Sequence, residues 1–202
     1  MHLSTINDLL ERATLRTSTD RGVTDGEQAA LRHFTSTLVL EDADCALHPY
    51  IARLRGVIVR PWHLLRDLDA VLECTDYHRF APLVQVLDTN LPGHVVLIRE
   101  MDVAAEVLAA GPRAAATLLT ALTTDFDHEA EVLVTYAGRH AFPDKVERRA
   151  RQQILAGIGF EKLGAGLWAV TADLAGCFPG DLLLGDCDPD ELSDDGSDLL
   201  EG

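Results

Sequence analysis

The chain has 202 residues, 47% of them hydrophobic, and a formal net charge of −16. That length fits one domain with a small appendage, and the apolar content is ample for a sizeable core and far from a disordered composition. Residues 181–202 hold nine acidic residues and no basic one, so the remainder carries −7. A moderately acidic body argues against non-specific nucleic-acid binding, which needs clustered Lys and Arg. No apolar run approaches the ~18 residues of a membrane span, and Asn7 and Asp8 interrupt any leader-like pattern at the start. Cys45, Cys74, Cys177 and Cys187 form no CxxC pair, so the chain reads as cytoplasmic with reduced thiols.

Taken in order, residues 1–33 read as a helical N-terminal extension in two pieces. Leu3, Ile6, Leu9 and Leu10 fall near helical spacing, with Ser4 or Thr5 able to cap. Residues 17–22 are a polar link, and Thr24 with Glu27 has capping-box spacing for a second short helix. Residues 34–40 alternate and are β-branched, which predicts a strand, and Val57-Ile58-Val59 predicts another that ends at Arg60-Pro61. Pairing the two makes an antiparallel hairpin with a long connection, residues 41–56. Leu64, Leu65, Leu68, Val71 and Leu72 form one apolar stripe, hence a helix running to Cys74. Residues 76–87 give another, with Tyr77, Phe80, Leu83, Val84 and Leu87 inward, and Pro92-Gly93 then turns the chain.

The run Val95-Val96-Leu97-Ile98 suits a buried strand. It runs out through Arg99, Glu100, Met101, Asp102 and Val103, where alternation puts Glu100 and Asp102 on one face and Met101 on the other. The link Leu108-Ala109-Ala110-Gly111-Pro112-Arg113 leads into a helix from Ala114, and Pro112 suits its first position. Strand, tight link and helix N-terminus aim free N–H groups and a positive dipole end at an anion. Residues 125–128 are a loop and residues 131–136 a second buried strand. Asp144 can cap a helix whose inner face shows Val146, Ala150, Ile154 and Leu155. Arg148, Arg149 and Arg151 lie on its other side, as a solvated face or as an anionic-substrate patch. Gly157 and Gly159 stop that helix. Residues 160–163 and 167–171, joined by Gly164-Ala165-Gly166, read as a closing hairpin. Residues 34–176 thus form the domain and residues 177–202 an acidic tail, disordered from residue 185 on.

The order strand, Gly111, helix, strand, helix, Gly159-Phe160, strand resembles the core of the GNAT superfamily of N-acyltransferases over residues 90–172. The resemblance implies a mixed α/β fold: a central mixed sheet of about six strands, with helices on both faces. It implies transfer of an acetyl or acyl group from acetyl-coenzyme A, or another acyl-coenzyme A, to an amine, with the cofactor along Met101, Val103, Leu108, Ala109, Ala110, Gly111, Pro112, Arg113 and Ala114. Glu100 is then the base, directly or through water. Of the family's phosphate-loop pattern, Arg/Gln-x-x-Gly-x-Gly/Ala, the segment 108–113 keeps only Gly111. Arg113 supplies a guanidinium to the phosphates, or fills the site and marks a lapsed pocket, or belongs to an ordinary strand–helix turn. Leu155 stands where the family often has a proton-donating Tyr. The competing reading is therefore a catalytically lapsed binding or regulatory module, acting through protein contacts and a basic partner for the acidic tail.

Other signals carry less. His33, His48, His63 and His78 recur every fifteen residues in unrelated surroundings, and there is no HExxH or Cys/His zinc pattern. No GxSxG, Walker loop or GxGxxG occurs. Trp62 and Trp168 read as core or hairpin anchors. The amine acceptor is not legible.

Overall fold

The computed structural model describes residues 3–21, 31–40, 50–66, 74–88, 90–126, 130–171 and 177. Its strands are β1 (Ala13–Arg21), β2 (Leu31–Leu40), β3 (Ala52–Val59), β4 (His94–Val103), β5 (Ala130–Tyr136), β6 (Glu161–Gly164) and β7 (Leu167–Val170). They form one seven-stranded open sheet in the order β1-β2-β3-β4-β5-β7-β6. Every neighbouring pair is antiparallel except β4 and β5, which run parallel.

The helices are α1 (Leu3–Arg12), α2 (Pro61–Arg66), α3 (Cys74–Phe80), α4 (Leu83–Val86), α5 (Ala105–Ala109), α6 (Pro112–Thr123) and α7 (Lys145–Ile158). They divide between two cores. Val96, Ile98 and Leu133 pack with Ile6 of α1, Ala115 and Leu119 of α6, and Ile154 and Leu155 of α7. Val95, Leu97, Val132 and Val134 point the other way, against Leu64 of α2, Phe80 of α3 and Leu83 of α4. A strand covered on both faces loses polar alternation, which is why the start of β4 reads as an unbroken apolar run. Each such fully buried side chain contributes about 1.5–3 kcal/mol of transfer free energy.

The N-terminal expectation of a helix holds for α1, whereas the polar link expected after it does not. The supposed polar link is part of β1, which pairs with β2 from Ala13↔Leu40 to Arg21↔Arg32. The physical reason is tertiary: β-branched threonines at 14, 17 and 19 suit an antiparallel strand, and a partner of matching length was available. β1 and the start of β2 thus belong to the same sheet as residues 34–171, and the strand count is seven rather than six. The expected second helix, residues 25–28, lies outside the described residues, as do residues 67–73 and the tail beyond 177. Cys177 itself is buried in the second core, and its carbonyl accepts from Asp88 N–H at 2.9 Å.

The β2–β3 hairpin is present, and longer than expected, from Leu31↔Val59 to Leu38↔Ala52. The piece expected over 76–87 is broken at Pro82, which caps α4, and Tyr77 is 37% exposed rather than inward. The link after β4 contains a short helix of its own, α5. Asp144 caps α7 by accepting from Glu147 N–H at 2.8 Å. The buried stripe of α7 runs through Arg148, Ile154 and Leu155, which leaves Val146 78% exposed. Arg148 donates to the carbonyls of Phe142 at 2.8 Å and Pro143 at 3.4 Å. Gly157 lies within α7, where an added Cβ would press on Ala116 of α6, and Gly159 alone terminates the helix at φ 103. In the closing hairpin Ala165 (φ 50) and Gly166 (φ 80) form a two-residue turn with both centres left-handed. Trp168 packs on the first core, whereas Trp62 is 46% exposed. No helix among the described residues is long and apolar enough to cross a membrane.

Candidate functional site

β4 and β5 stay paired from His94↔Ala130 to Ile98↔Thr135. At the last rung Thr135 Oγ1 donates to the Ile98 carbonyl at 3.0 Å. Beyond it the strands part. β5 ends at Tyr136 and Ala137 N–H turns to the Gly166 carbonyl at 2.8 Å, while β4 continues to Val103 with β3 as its one strand partner among the described residues. The parting coincides with a bulge: Arg55 faces Glu100 and Gly56 faces Ile98, which leaves Arg99 as the extra residue. Only glycine fits at position 56, because a Cβ there would overlap the Leu97 carbonyl and the Phe34 ring.

The parting opens a cavity of about 580 Å³ walled by β3, the second half of β4, α5 and α7. Main-chain groups along a strand point alternately to its two sides. Ala104 N–H goes to the Ile51 carbonyl at 2.9 Å, on the β3 side. The amides of Met101 and Val103 therefore point away from β3, toward the cavity, and the Met101 carbonyl does accept from Arg151 Nη1 of α7 at 2.6 Å.

The side chains at the mouth are charged. Arg53 of β3 clasps Asp102 of β4 through Nε, at 3.0 Å, and Nη2, and its guanidinium lies 4.4 Å from the centre of the Tyr50 ring. Burial pulls the Arg53 pKa down, but the hydrogen bond and charge of Asp102 outweigh it and the net shift is upward. Arg55 meets Glu100 at 3.3 Å, with both side chains about half exposed. Arg151 lies deeper. Its guanidinium sits 5.5 Å from the centre of the Phe142 ring, and desolvation lowers its pKa to about 10, against the opposing pull of Asp102 and Glu147. It therefore remains a cation at neutral pH.

Glu100, Met101, Val103 and Leu108 line this cavity together. Glu100 and Asp102 share a side, as alternation requires, each facing an arginine of β3. Ala109, Ala110, Gly111, Pro112, Arg113 and Ala114 lie instead on the adjoining α5–α6 junction. There Ala110 and Gly111 donate to the carbonyls of Val107 and Leu108, both at 3.0 Å, and Ala114 and Ala115 to that of Gly111 at 3.1 and 3.4 Å. Much of the junction's N–H supply is therefore engaged within the turn. Gly111 (φ 107, ψ 168) is the N-cap of α6 with Pro112 at the first turn, as expected. Arg113 and Pro112 are exposed, Ala114 is buried, and Leu108 is 47% exposed. Leu155 is fully buried in the first core.

Sequence reasoning missed Arg53 and Tyr50, and it grouped Arg148, Arg149 and Arg151 as a solvated face or an anionic-substrate patch, whereas Arg148 is buried, Arg149 exposed and Arg151 half-buried at the cavity. Arg53 and Arg55 are spaced two apart, like Asp102 and Glu100, a usable signal only once the β3–β4 register is known. Among the described residues no group of three His, Cys, Asp or Glu is placed to hold a metal ion. Compared with protein-family models, with curated proteins and with solved structures, the chain matches none of them.

Proposed function

We propose that the chain is a GNAT-type N-acyltransferase-like protein that takes acetyl-coenzyme A, or another acyl-coenzyme A, along the open half of β4 and transfers the acyl group to an amine. The observation that carries this reading is the parting of the single parallel strand pair. It leaves the main chain of Met101 and Val103 turned toward a cavity that extends to Leu108, near a helix that starts at Gly111-Pro112. An exposed strand edge fits the amide-bearing arm of such a cofactor, because it offers N–H and C=O groups in extended register. The acyl thioester supplies an activated carbonyl. Glu100, at the cavity wall, takes the proton from the attacking amine, directly or through water, as the C–N bond forms and the C–S bond breaks. Arg113, on the adjoining surface, supplies a guanidinium to phosphate.

A second reading is favoured by a specific contact. Arg151 occupies the Met101 carbonyl, Leu155 offers no proton to a leaving thiolate, and the α5–α6 junction spends N–H groups on itself. Together these suit a domain of the same architecture that has lost turnover and serves as a binding module, with its acidic tail directed at a basic protein. Fold alone does not separate the two. Calorimetric titration with acetyl-coenzyme A does. The enzyme reading expects micromolar binding, about −8 kcal/mol, that is lost in Arg113→Glu. Absence of heat and of any thermal shift at millimolar cofactor leaves the binding module.

A further inference from the structure

Arg151 is held in a way that a structural strut does not need. It reaches from the middle of α7 into the cavity, where it is half-buried and its guanidinium lies near the Phe142 ring. Among the described residues it meets one hydrogen-bond acceptor, the Met101 carbonyl, although a guanidinium carries five N–H donors in a planar fork. The carboxylates that influence it are not in ion-pair contact with it. Asp102 is taken by Arg53, and Glu147, one turn back on α7, is exposed. Holding a half-buried cation away from any carboxylate partner has a cost, which is recovered when an anion arrives. The walls suit such an anion on an organic body, since Tyr50, Phe80 and Phe142 line the same cavity as Arg53 and Arg151.

We infer that Arg151 is the anchor of a binding site for a small organic carboxylate, gripped by the free side of its guanidinium fork while the Met101 carbonyl holds the other. A planar carboxylate matches two parallel N–H donors, whereas phosphate brings four oxygens and concentrates its second charge on the same centre, beside Asp102 and Glu147. Joined to the acyl-transfer reading, on which this last step rests, the site selects an amine acceptor that itself carries a carboxylate. The α5–α6 junction is not involved, so the site stands or falls separately from coenzyme A binding.

The test is binding of succinate to the full chain, followed by thermal shift and by the Nε–H signal of Arg151, with inorganic phosphate as a parallel arm and sodium chloride matching the ionic strength. The expected result is saturable binding of succinate that moves the Arg151 signal, is weaker for phosphate, and falls at least about tenfold in Arg151→Gln. Arg151→Lys keeps the charge but not the fork, and should also bind succinate more weakly than the wild type. Arg113→Glu should bind succinate as the wild type does, whatever its behaviour with acetyl-coenzyme A. If Arg151→Gln fails to fold, the Lys variant and the wild-type Arg151 signal decide. Phosphate binding as tightly as succinate, equal succinate binding with and without the arginine, or no saturable binding of either anion would each overturn the inference.

Discussion

The two halves of β4 are one strand with two environments. From His94 to Ile98 it is sandwiched between β3 and β5, with Val95, Val96, Leu97 and Ile98 at 0–1% exposure. From Arg99 to Val103 it keeps β3 and loses β5, and its side chains are charged or half-exposed except for the buried Met101. The first half is stability and the second is opportunity. Backbone donors and acceptors that a sheet would normally satisfy are released into a cavity, at a bulge that already interrupts the ladder. The contrast teaches that a binding edge can be made by ending a neighbouring strand early, without adding any element.

The sharpest way to break the comparison is to damage the sealed half. Leu97→Ala should lower unfolding free energy by about 3 kcal/mol, because it removes a fully buried side chain in a site that collapses poorly. A denaturant midpoint that hardly moves would mean that the sealed half is not the anchor. Next is the foot of the open half. Gly111→Ala meets no neighbouring atom, so its expected cost of about 2 kcal/mol is the backbone's alone, from a conformation that favours glycine. Asp144→Ala removes the cap of α7, and thermal unfolding should register a loss of about 1 kcal/mol. The smallest effect belongs to the open half's exposed ion pair. Glu100→Gln should cost less than about 0.5 kcal/mol, so a lost acyl-transfer rate in that variant would be chemistry and not folding, while an unchanged rate would remove Glu100 as the base.

The same division marks what could be read in advance. The sealed half was legible because two-sided burial writes itself as Val95-Val96-Leu97-Ile98, and α6, β5 and the closing hairpin were legible from Pro112, β-branching and paired glycines. β1 was not, since its polar threonines look like a link until β2 is beside them. The cavity was half legible. Glu100, Met101, Val103 and Leu108 follow from the chain order, but Arg53 and Arg151 arrive from β3 and α7, and nothing local distinguishes Arg151 from Arg149. Val146 and Arg148 exchanged their expected faces because the buried stripe of α7 runs through Arg148, Ile154 and Leu155, an arc that its few apolar residues do not define by spacing alone.

Amide hydrogen exchange along β4, with and without millimolar acetyl-coenzyme A, tests most directly that the open half is the ligand-bearing edge. The account predicts that the amides of Met101 and Val103 slow by about tenfold or more on addition of the cofactor, as a released edge becomes paired, while that of Leu97 is unchanged. Exchange at Met101 and Val103 that is indifferent to the cofactor would contradict it.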